Sequence, residues 1–108
     1  MTPESSDPER SGNSTDRGAS VVRQEVEIVN KRGLHARAAA RFTKLAEEFD
    51  SEILVSGNGM TVSGLSIMGL MLLAAGPGTR IEIAGAGEDS PQAVGALADL
   101  VEAGFDEN

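Results

Sequence analysis

The sequence predicts a two-layer α+β domain, a four-stranded antiparallel sheet with three helices on one face, in the order β-α-β-β-α-β-α. Three observations predict it. Four short segments alternate apolar and polar residues, the mark of strands with one covered face. Two longer segments repeat apolar residues at helical spacing, and a short apolar run opens on a serine. Clusters of Gly, Asn and Pro separate all of these.

The elements follow from about residue 21. In VVRQEVEIV, Val22, Gln24, Val26 and Ile28 share one side and Arg23, Glu25 and Glu27 the other, a strand with one wet face. Asn30 to Gly33 is a loop. Ala36 to Phe49 is a helix whose stripe is Ala39, Phe42, Leu45, Ala46 and Phe49. Ser51 to Ser56 is the second strand. Gly57-Asn58-Gly59 tolerates positive φ and makes a hairpin turn into a third strand, Met60 to Ser63. Ser66 opens IMGLMLLAA, a short helix ended by Gly76-Pro77-Gly78. TRIEIAG is the last strand, with Ile81 and Ile83 inward and Arg80 and Glu82 outward. Ser90-Pro91 reads as an N-cap followed by proline in the first turn. Val94, Leu97, Leu100 and Val101 are the stripe of the last helix, and Gly104 closes it.

Residues 1–20, MTPESSDPERSGNSTDRGAS, contain only Met1 and Ala19 as apolar residues. Such a piece cannot bury enough surface to offset its ordering entropy, so it reads as a disordered tail, with residues 21–108 as the domain.

Composition excludes several classes of function. The 108 residues carry a net charge of −8, which argues against a nucleic-acid binder. Cysteine is absent, so disulfides, thiolate metal sites and thiol nucleophiles are excluded. A single histidine, His35, makes a zinc site improbable. The expectation is no metal and no cofactor. No window of roughly 18 apolar residues spans a membrane, and the N-terminus lacks an apolar signal core. The cytoplasm is the expected compartment and a monomer the expected state.

Positive charge is concentrated at one place. Asn30 to Lys44, NKRGLHARAAARFTK, holds Lys31, Arg32, Arg37, Arg41 and Lys44 and no acidic residue. An acidic protein has gathered its cations around its only imidazole. His35 stands where the loop ends and the helix begins. The first helical amides, of Ala36, Arg37 and Ala38, lack intrahelical partners, and the helix dipole adds positive potential. With a guanidinium nearby this is a site for a phosphoryl group. An unperturbed imidazole titrates at roughly 6.5, so much of it is neutral and nucleophilic near neutral pH and can form an N–P bond. Arg37 is the best-placed donor to the incoming charge. The bland alternative is a surface N-cap beside a solvated basic face.

At Ser66 the simplest reading is a helix cap. The helix behind it is apolar almost all round, so Ile67, Met68 and Met71 include residues facing water. An exposed apolar patch with adaptable methionines suits transient docking.

Two strings carry a resemblance. GLHARAAARF and NGMTVSGLSIMGLMLLAA are similar to the two landmark segments of HPr, the histidine-containing phosphocarrier family of the bacterial phosphotransferase system, and residues 21–105 fit that family in length and element order. The resemblance implies an open-faced β-sandwich, a carrier rather than an autonomous enzyme. It implies that His35 is phosphorylated through its δ nitrogen and that Arg37 assists. The implied donor is phosphorylated enzyme I, which draws on phosphoenolpyruvate, and the implied acceptors are enzyme IIA proteins or domains. Ser66 matches a regulatory phosphorylation site, used where an HPr kinase/phosphorylase exists; a phosphate there would repel acidic partner surfaces that seek Arg37 and Lys44. The chain departs from the family pattern at Ala38, where proline is frequent, at Ala36, a variable position, and at Leu65, where lysine is common. Alternatives are a regulatory interaction protein of a nitrogen or metabolic branch with no role in sugar transport, and a ferredoxin-like RNA or small-molecule binder, which the acidic balance and missing Trp and Tyr weaken.

Overall fold

A computed structural model of the chain describes residues 21–107; the expected tail at 1–20 lies outside them. The elements are β1 (Val21–Glu27), α1 (Ala36–Ala46), β2 (Glu52–Gly57), β3 (Met60–Ser63), α2 (Ile67–Leu72), β4 (Arg80–Ala86) and α3 (Ser90–Glu102), followed by a 3₁₀ turn at Gly104–Asp106. The four strands pair antiparallel in the order β1-β4-β2-β3. The architecture is therefore the open-faced sandwich in the expected order.

The alternation of each strand decides which face is covered. Val26, Ile53, Val55, Ile81 and Ile83 point inward and are buried; Val26 lies opposite Ile81, and Val55 opposite Ile83. Onto them pack Ala38, Ala39, Phe42 and Ala46 of α1 and Val94, Leu97, Ala98 and Val101 of α3. The other sheet face is left to solvent and carries exposed ion pairs, Arg80–Glu25 at 2.9 Å and Arg23–Glu82 at 3.6 Å. Pairs this exposed contribute at most about 1 kcal/mol, so the buried face holds the sheet on its helices. The hairpin turns on Asn58 (φ 50) and Gly59 (φ 79), two successive left-handed residues, which is the type I′ geometry that matches strand twist.

The structure moves three helix boundaries. Helix α1 stops at Ala46 rather than Phe49, because the last turn tightens to i→i−3 bonds, Glu48 N–H to Leu45 C=O and Phe49 N–H to Ala46 C=O. The chain is then drawn toward β2: the Asp89 carboxylate accepts from the Asp50 amide at 2.8 Å and from the Ser51 hydroxyl. These two hydrogen bonds hold the Asp89 carboxyl below the ordinary carboxylate value. Occupied there, Asp89 is the N-cap of α3 without a side-chain cap bond, and Ser90, expected as the cap, is the buried first residue of the helix. Helix α2 ends at Leu72, not Ala75. The Leu73 carbonyl is taken by the Asn58 side chain at 2.8 Å, and Ala74 swings into the left-handed region (φ 53).

Gly104 (φ 65) ends α3 as expected, but the chain does not leave the domain there. Phe105 follows, also left-handed at φ 57, and its side chain is 0% exposed.

Candidate functional site

Beyond β1 the chain is threaded tightly. Gly78 N–H bonds Ile28 C=O, Gly33 N–H bonds Asn30 C=O, and Leu34 N–H bonds Ala75 C=O at 2.9 Å. Gly33 lies at φ +64, and a Cβ there would stand 2.5 Å from the Ala75 carbonyl oxygen. Only glycine meets both demands. Gly33→Ala is expected to cost about 2 kcal/mol or more and to shift the His35 backbone, read as a lower urea midpoint and altered amide shifts at residues 33–37.

His35 is the N-cap of α1, with extended backbone (φ −82, ψ −179), and its carbonyl starts the helix by accepting from Ala39 N–H at 2.8 Å. Its side chain makes no cap bond, so the ring is free for another role. It is neither buried in hydrocarbon nor fully exposed: the side chain is 17% accessible. The first turn of α1 contains no acidic residue.

One ring nitrogen has a partner. His35 Nε2 contacts Oε2 of Glu107, and the other oxygen of that carboxylate accepts from Asn30 Nδ2 at 3.0 Å. Asn30 is itself buried and donates from the same nitrogen to Gly33 C=O at 2.8 Å. Partial burial pushes the Glu107 carboxyl up. The hydrogen bonds from Asn30 and His35, with the positive charge of Arg32, outweigh that and hold it below the ordinary carboxylate value.

The basic residues line clefts beside this point. Arg32, Arg37 and Arg41 line one cleft of about 310 Å³ with Asp106 and Glu107. Lys31 lines the neighbouring cleft with Asn30, Arg32 and Glu107. Lys44 stands one step further along α1, lining a third cleft with Arg41 and Asp106. Arg41 also donates through Nη1 to the Phe105 carbonyl. The sequence cluster is thus a spatial cluster, and the C-terminal turn lies among its members.

The second predicted group sits on α2, which packs against α1. Ser66 is the N-cap; its hydroxyl accepts from Gly69 N–H at 2.9 Å. Met68 is 76% exposed, and Ile67 and Met71 are exposed too. Only Leu70 of this helix is buried. Leu65 and Leu72, not among the residues predicted for docking, extend the same exposed patch. Sequence reasoning also missed Asn30, Phe105 and Glu107. No local signal marks them, since Glu107 reaches His35 across 72 positions of chain.

The family model described as "PTS HPr component phosphorylation site" matches residues 22–103. The chain belongs to the HPr family. It is 49% identical over 87 residues to the phosphocarrier protein HPr of Neisseria meningitidis serogroup A, covering 81% of this chain and 98% of that protein. It is 43% identical over 86 residues to the phosphocarrier protein NPr of Shewanella violacea, covering 80% of this chain and 94% of the relative. Among solved structures, HPr-C-His from Thermoanaerobacter tengcongensis superposes with a TM-score of 0.76 at 40% identity, covering 81% of this chain and 98% of that one. Membership in a phosphocarrier family of the phosphotransferase system agrees with a site built from an accessible imidazole and clustered guanidinium groups. Among the described residues no three or more His, Cys, Asp or Glu side chains converge as metal ligands. None of their helices is long and apolar enough to cross a membrane.

Proposed function

We propose that this HPr-family chain is a phosphoryl carrier of a phosphoenolpyruvate-dependent phosphotransferase system, in which His35 takes the phosphoryl group from enzyme I and hands it to an enzyme IIA protein or domain. One observation supports this most: the imidazole heads α1, and Nε2 is the nitrogen in contact with Glu107. That leaves Nδ1 to attack. Its lone pair forms the new N–P bond as the donor's bond to phosphorus breaks and that electron pair returns to the donor. Arg37 assists by meeting the phosphoryl oxygens, together with the partnerless amides of the first helical turn. The chain is a relay rather than an autonomous enzyme, and in this reading it acts as a monomer in the cytoplasm.

The exposed face formed by Ile67, Met68 and Met71, together with Lys44 on α1, is the docking surface. Met side chains let one surface meet both donor and acceptor. The test is incubation with enzyme I and labelled phosphoenolpyruvate. A phosphate that is labile in acid and stable in base supports the carrier; its absence overturns it.

Ser66 is the regulatory site in this reading. A phosphate at a helix N-terminus keeps its acceptors near free amides, so the fold survives while acidic partner surfaces are repelled. Ser66→Asp is expected to keep the melting temperature within a few degrees and to raise the KM for enzyme I by about fivefold, measured by phosphoryl uptake at varied donor concentration. An unchanged KM removes Ser66 from this role.

A further inference from the structure

We propose that Glu107 is a positioning residue of the phosphoryl site: its carboxylate, held by Asn30, fixes the proton of His35 on Nε2 and so presents Nδ1 as the nucleophile. This rests on the phosphocarrier reading and goes beyond it by assigning a residue four places past the matched family segment.

The first argument is the geometry of the carboxylate. Both oxygens are occupied, Oε2 by His35 Nε2 and Oε1 by the Asn30 amide at 3.0 Å. Asn30 is buried and held to Gly33 C=O at 2.8 Å, so the loop that carries His35 also carries the group that aims the carboxylate. An ionised carboxylate only accepts hydrogen bonds. A neutral imidazole has one N–H. The nitrogen facing Glu107 must therefore be the donor, and the other keeps its lone pair.

The second argument is delivery. Residues near a terminus are usually poorly ordered unless tied down. Here Glu107 N–H bonds Gly104 C=O at 3.1 Å, Asp106 N–H bonds Ala103 C=O at 3.2 Å, Phe105 is plugged into the core, and Arg41 grips the Phe105 carbonyl. Four attachments fix the turn that ends in Glu107.

The third argument is charge. When Nδ1 takes the phosphoryl group, the ring becomes a phosphoimidazolium, its positive charge shared with Nε2–H. No proton has to move. It stays between Nε2 and the carboxylate, which stabilises the charged ring as a buried carboxylate does for an imidazolium elsewhere. When the group leaves for the acceptor, the N–P electron pair returns to Nδ1 and the ring is neutral again, in the tautomer it started from.

The experiment uses the full-length protein, with Glu107→Ala and Glu107→Gln beside the native chain. Ring ¹⁵N shifts of His35 report the tautomer without any phosphoryl transfer. The native neutral ring is expected to be almost wholly Nε2–H; in Glu107→Ala the Nδ1–H form rises several-fold. With enzyme I and phosphoenolpyruvate, kcat for uptake falls about tenfold in Glu107→Ala while KM stays within twofold, and Glu107→Gln, which keeps an acceptor oxygen, recovers part of it. An unchanged tautomer ratio in Glu107→Ala overturns the proposal, and so does a loss confined to KM. If the native chain takes up no phosphate, the carrier reading fails, yet the tautomer ratio still judges Glu107.

Discussion

Phosphoryl uptake in His35→Ala is expected to be undetectable, a drop of at least about a thousandfold, in a protein that remains folded. The functional half follows from composition. The chain has one histidine and no cysteine, so no second nitrogen or sulfur nucleophile of that kind can take over. The structural half follows from how little the ring holds in place. Among the described residues its one hydrogen-bonding contact is with Glu107, it gives the helix no side-chain cap, and Ala39 N–H bonds the backbone carbonyl of His35, which alanine keeps. The loss of stability should stay near 1 kcal/mol, within the ordinary range for a partly exposed position. Labelled phosphate followed on a gel, paired with a far-UV circular dichroism melt, separates the halves. Residual acid-labile label would mean that another group carries the phosphoryl, and a collapsed melt would mean that the ring is part of the core.

Phe105→Ala is expected to destabilise the domain by about 3–4 kcal/mol, among the largest effects of any single substitution here. The side chain is fully buried, and a domain of this size has a margin of only about 5–10 kcal/mol. Alanine keeps the left-handed backbone at φ 57, so the substitution relieves no strain and leaves a cavity. With a urea slope near 1 kcal/mol/M, the unfolding midpoint should fall by about 3 M. Phe42→Ala, equally buried on α1, is the natural comparison. A fall below about 1 M would show that the C-terminal turn is not packed into the core. Because Arg41 and Glu107 both depend on this turn, the variant should also broaden the His35 ring signals at temperatures where the rest of the domain is folded.

Much of the molecule was legible from local pattern. The alternation in Val22–Ile28 and in Ile81–Ile83 is a property of a few adjacent residues, and the buried face is the one it selects. Gly57-Asn58-Gly59 specified its turn because positive φ at two positions is a backbone demand that few residues meet. The basic run from Lys31 to Lys44 stayed together in space because a loop and one helix carry all of it. Where local pattern misled, a distant group competed for the backbone or the cap. Asp89 spends its carboxylate on Asp50 and Ser51 rather than on its own helix, and Asn58 takes the Leu73 carbonyl at the end of α2, which Pro77, having no N–H, cannot bond.

The sequence alone determined the element order, the covered face of the sheet, the position of the sole imidazole at a helix start and the run of cations on either side of it, since each is written in spacings of a few residues. The tertiary structure alone decided that the chain folds back past Gly104, that Phe105 fills the core, and that Glu107 and Asn30 close on Nε2 of His35. Those contacts join positions more than 70 residues apart. Which carboxylate meets which ring over that separation is settled by how helices and sheet pack together, and no periodicity along the chain encodes it.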